Sequence, residues 1–89
     1  MREFLLGEHT LQTEEGKQLT CEYRVQIQET AGRIFCESYG VSITTRETGE
    51  RASVPDITVN GERIQELGEL LLRNGVTPCA LRDVIDDWL

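Results

Sequence analysis

Residues 59–89 read VNGERIQELGELLLRNGVTPCALRDVIDDWL. In this stretch Ile64, Leu67 and Leu71 recur at spacings of three and four, with Leu70 beside them, which is the apolar stripe of an amphipathic helix. Asn60 stands where an N-cap is needed, and Val59 can staple onto Ile64. Asn74-Gly75 supplies the stop, because glycine enters the left-handed C′ conformation without steric cost; Val76 then folds back on Leu71. A second helix is expected at once, with Thr77 as N-cap, Pro78 at N1 and Val76 stapling onto Leu81. Its stripe is Leu81, Val84, Ile85, Trp88 and Leu89, and Arg82, Asp83, Asp86 and Asp87 take the solvent side. Two short helices with apolar stripes need a sheet to cover.

The residues before Asn60 have the period of that sheet. Leu19, Cys21, Tyr23, Val25 and Ile27 alternate with Gln18, Thr20, Glu22, Arg24, Gln26 and Gln28, the pattern of a half-buried central strand. Glu14-Glu15-Gly16 reads as a three-residue hairpin loop closed by Thr13 and Lys17. Counting back sets Leu11 against Leu19, His9 against Cys21, Gly7 against Tyr23 and Leu5 against Val25, with Gly7 leaving room for the tyrosine ring. Thr30-Ala31-Gly32 reads as a second loop of the same type, so Ile27 meets Phe35, Tyr23 meets Tyr39 and Cys21 meets Val41. Glu37 then intrudes on the inward face; a bulge near residues 38–40 is the preferred way to turn it out, and a position near the sheet margin that leaves its carboxylate wet is the other. Thr48-Gly49 turns the chain into a short fourth strand, Ala52 beside Thr45 and Val54 beside Ile43, which Pro55 ends. The expected fold is α+β: a four-stranded antiparallel β-meander followed by a C-terminal αα-hairpin packed on one sheet face. It forms a single domain over residues 1–89, with the meander at 1–57 and the hairpin at 58–89.

Composition narrows the function. A chain of 89 residues has room for one thin core, and a deep enclosed active site is not expected. Its net charge of −7 and nine scattered Lys and Arg residues exclude a nucleic-acid footprint and disfavour an anionic membrane. Neither a secretory h-region nor a membrane-length apolar run is visible, so a cytoplasmic address is expected. Three cysteines, Cys21, Cys36 and Cys79, are odd in number and lack CxxC spacing, and His9 is the single histidine. No metal site and no cofactor are expected from that set.

The register places chemistry as well as core. On the solvent face it brings Phe4 and Cys36 beside Gln26, with Leu6 and Ile34 one row away. An apolar cluster rimmed by polar groups is the mark of a protein-binding surface. The expected function is therefore a non-enzymatic interaction or regulatory module, engaging an unknown protein partner or forming a homodimer through Phe4, Leu6, Gln26, Ile34 and Cys36. The alternative is a small-ligand or thiol-dependent site between sheet and helices, near His9, Cys21 and Cys79. Cys79, at N2 of the last helix, is the candidate reactive thiol because a helix N-terminus lowers a thiol's pKa. A catalytic pair of acids, a Ser/His/Asp order and a phosphate loop are all missing as patterns. The run Asp83, Asp86, Asp87 lacks the oxygen spacing and turn glycine of a calcium loop and reads as a solvated helix face.

The tail VTPCALRDVIDDWL at Val76 to Leu89, preceded by ELGELLLRNG, resembles the C-terminus of a family of short uncharacterised proteins from anaerobic Gram-positive bacteria. Its TPxxLRDVIxDWL motif is joined by Tyr39-Gly40-Val41-Ser42-Ile43 and by Val54-Pro55-Asp56-Ile57. The resemblance implies a cytoplasmic bacterial protein of unknown function and carries no catalytic or binding residue with it.

Overall fold

The computed structural model describes residues 2–30 and 36–89, the side chains of Thr30 and Cys36 apart. Four strands, β1 (Arg2–Gln12), β2 (Gln18–Thr30), β3 (Cys36–Thr45) and β4 (Arg51–Thr58), are followed by α1 (Gly61–Asn74), a 3-10 turn (Pro78–Ala80) and α2 (Leu81–Trp88). The strands form one antiparallel sheet in the order β1-β2-β3-β4, and the helices cover one face of it. This is the expected α+β arrangement.

Local chemistry sets the ends of α1 as read from its residues. Asn60 Oδ1 accepts from the backbone N–H of Glu62 at 2.9 Å and of Arg63 at 3.2 Å, which satisfies two of the donors a helix start leaves open. At the other end Gly75 takes φ 61°, and Gly75 N and Val76 N donate to Leu72 O and Leu71 O, the paired bonds of a Schellman motif. The second helix begins differently. Thr77 makes no capping bond, Pro78 opens a 3-10 turn, and α2 starts only at Leu81. Val84 and Trp88 pack on the core beside the buried Leu81 and Ile85, whereas Leu89 stays exposed. Arg63 lies over the Trp88 ring, 4.2 Å from its centroid, and this cation–π contact ties the start of α1 to the end of α2.

In the sheet, the first hairpin follows its turn chemistry. Thr13 N donates to Lys17 O at 2.8 Å and Gly16 sits at φ 85°, so Leu11, His9 and Gly7 face Leu19, Cys21 and Tyr23. A bulge between Leu5 and Gly7 then moves the register by one, and Leu5 pairs with Arg24 and Phe4 with Val25. Between β2 and β3 the expected pairing is displaced by four residues: Ile27 meets Tyr39, Tyr23 meets Ile43 and Cys21 meets Thr45. The displacement is even, so each side chain keeps its face. The expected Thr30-Ala31-Gly32 loop and the Ile27–Phe35 pair fall on residues outside those described.

Glu37 needs no bulge within the β2–β3 ladder. It lies at the sheet margin opposite Glu29, and Arg2 joins both carboxylates, at 3.0 Å to Glu29 and 3.3 Å to Glu37. The bulge is on the other side of β3. Between Tyr39 and Val41 the pairing skips from Thr58 to Val54, so β4 continues through Pro55 instead of ending there, with Asp56 at φ 54°. Ser38 Oγ donates to Asp56 Oδ1 at 2.5 Å and holds that bend. The last hairpin is wider than a two-residue turn: Thr45 N donates to Glu50 O, and Ala52 and Val54 pair with Ile43 and Val41.

Cys21, Tyr23, Val25, Val41 and Ile43 from the sheet meet Ile64, Leu67, Leu71, Leu81 and Ile85 from the helices in one core. Tyr23 is buried and its hydroxyl donates to Val76 O at 2.8 Å; burial pushes the phenol well above its usual pKa. Because α1 touches all four strands, it lies across the sheet. Gly7 is where Leu72 of α1 comes down on β1, within 2.9 Å of where a Cβ would stand. The room at Gly7 is thus taken by a helix leucine, not by the Tyr23 ring.

Candidate functional site

With one face under the helices, the other face of the sheet is open, and its residues follow from the ladders. Glu3, Gln26 and Gly40 form one row; Leu5, Arg24, Ser42 and Ser53 the next; Glu8, Glu22, Thr44 and Arg51 a third. Long charged side chains span these rows. Arg51 donates to Glu3 at 2.5 Å, and Glu3 also accepts from Gln26 Nε2 at 3.1 Å. Arg46, from the β3–β4 loop, pairs with Glu8 and with Glu22, the latter at 3.2 Å, and Arg24 reaches Glu22 at 3.4 Å.

The Arg51–Glu3 pair reports the shape of the sheet, because the two residues sit on opposite edge strands. In a flat sheet their Cα atoms would be ~20 Å apart, from three inter-strand steps of ~4.8 Å and four residue steps of ~3.3 Å. That is beyond the reach of an arginine and a glutamate together. The twist of the sheet must bring these corners towards each other, so the outer face is concave along this diagonal. Concavity also explains burial on a face no helix covers: Gln26 is 4% exposed and Ser42 1%. Beneath the arginine and glutamate side chains, Gln26 Oε1, Ser42 Oγ and Thr44 Oγ1 are buried without a hydrogen-bond partner among the described residues. Buried polar atoms are rarely left so, since each costs about 1–3 kcal/mol.

Three carboxylates in this region are shifted downward. Gln26, and then Arg51, hold Glu3 below the usual carboxylate range; Arg46 does the same for Glu22; and the backbone N–H of Thr20, 2.6 Å from Glu47 Oε1, does so for Glu47. A lowered folded pKa contributes stability that is present above the unfolded value and lost as pH falls through the folded one. Urea midpoints followed by Trp88 fluorescence should therefore be level near neutral pH and fall on acidification below the ordinary glutamate pKa. Glu47→Gln should flatten part of that fall. An acid limb of equal depth in wild type and variant would show that Glu47 is not among its causes.

The expected cluster around Gln26 is not assembled in that form. Gln26 does face outward, but the β1 bulge places Phe4 opposite Val25 on the helix side, where it is 51% exposed. Leu6 turns inward onto Gly68 and the core. Leu5 takes the outward place opposite Arg24 and is 52% exposed. Ile34 lies outside the described residues, and Cys36 is placed by its backbone alone, opposite Thr30. The residues missed are Arg24, Arg46, Arg51, Glu3, Glu8, Glu22, Ser42 and Thr44. Their signal in the sequence was the polar phase of β2; the partners on β1 and β4 depend on register and curvature.

The groups of the alternative site are otherwise engaged. His9 Nδ1 lies 3.0 Å from Leu72 O, at the C-terminus of α1. Cys21 is buried, with its Sγ 3.9 Å from Thr45 Oγ1. Cys79 is exposed, with its Sγ 3.4 Å from Thr77 Oγ1. Its place in a three-residue 3-10 turn removes the α-helical N-terminus on which its expected reactivity rested. Among the described residues no cluster of three or more His, Cys, Asp or Glu could hold a metal ion, and no helix is long and apolar enough to cross a membrane.

The fold and this face define an open-faced α+β protein, a four-stranded meander with helices on one side and a charge-laced concave face on the other. The chain belongs to a family of unknown function, DUF6514, whose family model matches residues 2–89. No curated protein and no solved structure matches it.

Proposed function

We propose that this is a non-enzymatic protein-interaction module of the bacterial cytoplasm, engaging its partner through the outer face of the sheet. The observation that carries the reading is the set of unpartnered buried atoms, Gln26 Oε1, Ser42 Oγ and Thr44 Oγ1, on the one sheet face that no helix covers. A partner that draws the overlying arginine and glutamate side chains into its own ion pairs would open these atoms to its polar groups, and the exposed Leu5 on β1 adds apolar area. The alternative reading, a ligand or thiol site between sheet and helices, has no comparable support, since His9 is bonded to α1 and Cys21 is sealed in the core.

Capture from a bacterial lysate tests the face. The bait comparison is wild type against Leu5→Glu/Ser53→Arg, two exposed outer-face positions that are members of none of the ion pairs. Proteins retained by wild type and lost by the variant, with circular dichroism unchanged, are the expected result. Equal retention by both baits, or none by either, would remove the face from consideration.

A further inference from the structure

We infer that the outer sheet face binds a second copy of this chain, an inference that rests on the interaction reading above and names its partner. The argument starts from charge. Two copies carrying −7 each repel one another in most orientations. The outer face is closer to neutral than the chain as a whole: Arg24, Arg46 and Arg51 stand among Glu3, Glu8, Glu22 and Glu47, three cations against four carboxylates. Each arginine already bonds a carboxylate of its own copy. In a two-fold contact it can exchange that carboxylate for the same group on the other copy, with no net change in the number of ion pairs.

Shape agrees with charge. A twisted sheet is a saddle, and a two-fold axis lying in the face along the strand direction maps a saddle onto itself. The concave diagonal of one copy then receives the convex diagonal of the other, as in aligned sheet packing. The same axis reverses the strand order. It lays β4 with Arg51 over β1 of the other copy, which carries Glu3 and Glu8, and β2 with Arg24 over β3.

The size of the face sets the expected strength. Four strands at ~4.8 Å spacing and about eight residues of ~3.3 Å give on the order of 500 Å² per copy, below the ~800 Å² per partner of a standard stable interface. The dimer is therefore weak and polar, forming at micromolar concentrations or above, and its ion pairs make it sensitive to salt.

The test is charge exchange. Arg46→Glu/Arg51→Glu makes the face uniformly more acidic, and Glu3→Arg/Glu8→Arg makes it more basic. Sedimentation should show wild type dimerising with rising concentration at low salt and dissociating in ~0.5 M salt, where the screening length is ~4 Å. Each variant alone should self-associate at least ~10-fold more weakly, as like charges now face each other, and an equimolar mixture should restore the dimer. That restoration also shows that both variants fold. Should either be unfolded by circular dichroism, a dilution series of wild type by NMR decides. Concentration-dependent shifts at the Gln26 side-chain amide and Arg51 support the contact, and shifts confined to the helices overturn it. A wild type that stays monomeric at every concentration overturns the dimer and leaves the interaction reading to its own capture test. Dimerisation undiminished in both variants overturns this contact, because it would then lie elsewhere on the molecule, and again leaves the interaction reading to its capture test.

Discussion

Gly40→Ala is expected to destabilise the protein by about 3 kcal/mol, near the upper end of what overpacking costs. The reason is that nothing beside Gly40 can yield. A Cβ at this position would run into Val54 O and come within 2.6 Å of Pro55 Cα, both backbone atoms of the β4 bulge. That bulge is itself held by Asp56 in the left-handed region and by the Ser38–Asp56 bond. The alanine must push β4 away from β3 and weaken the pairs Val41–Val54 and Tyr39–Thr58 on either side. For a protein of this size the whole stability is on the order of 4–13 kcal/mol, so the loss should appear as a fall in melting temperature of about 12–24 °C. Thermal and urea unfolding, read by circular dichroism and Trp88 fluorescence, measure it. A cost under about 0.5 kcal/mol, the usual range for a surface change, would mean that the bulge does not press on Gly40.

Gly75→Ala is expected to cost about 2–3 kcal/mol, from two causes that add at one residue. The first is conformational: φ is 61°, and a side chain there carries the left-handed penalty of about 1–2 kcal/mol. The second is space, since a Cβ would stand 2.8 Å from His9 Nε2 and 3.1 Å from Leu11 Cδ2. His9 cannot swing aside freely because Nδ1 is bonded to Leu72 O at the end of α1. The two causes separate in Gly75→Ala/His9→Ala. Relief of the clash should make the double variant more stable than the sum of the single costs by about 0.5–1 kcal/mol, the coupling expected between residues in contact. Strict additivity in urea titrations would assign the whole effect to the backbone and none to the histidine.

Each position shows a different way in which sequence falls short of structure. That residue 75 would be a left-handed glycine follows from Asn74-Gly75 at the end of an apolar stripe. That His9, sixty-six positions away, would press against it depends on where α1 lands on β1. Gly40 carries a local sign of a special backbone but none of its partner. A strand glycine marks a bulge or a close approach, and the expected site of the bulge, near residues 38–40, was right in place but wrong in partner: the extra residues are on β4, and Glu37 needed none of them.

The candidate face shows the same division. Its polarity was legible in the alternation of β2, and Gln26 lies where that alternation put it. Its apolar cluster was not, because one bulge between Leu5 and Gly7 exchanges the facing of everything N-terminal to it. Packing supplies the reason: Leu6 reaches the gap over Gly68 on α1, and it can do so only if β1 gains a residue there.

By itself, then, the sequence determined what depends on neighbours a few residues away: the period of each strand, the Glu14-Glu15-Gly16 hairpin, the Asn60 cap, the Gly75 stop and so the α+β class. Steric rules for φ and short-range hydrogen bonds act within a turn, and they leave their record in adjacent residues. Tertiary structure alone decided the four-residue displacement of β3 against β2, the bulge at Leu5 and the curvature that brings Arg51 to Glu3. Those are settled by which side chains fill the space between sheet and helices, and by the twist four strands accumulate together. Both are properties of the assembled layers that no single segment carries.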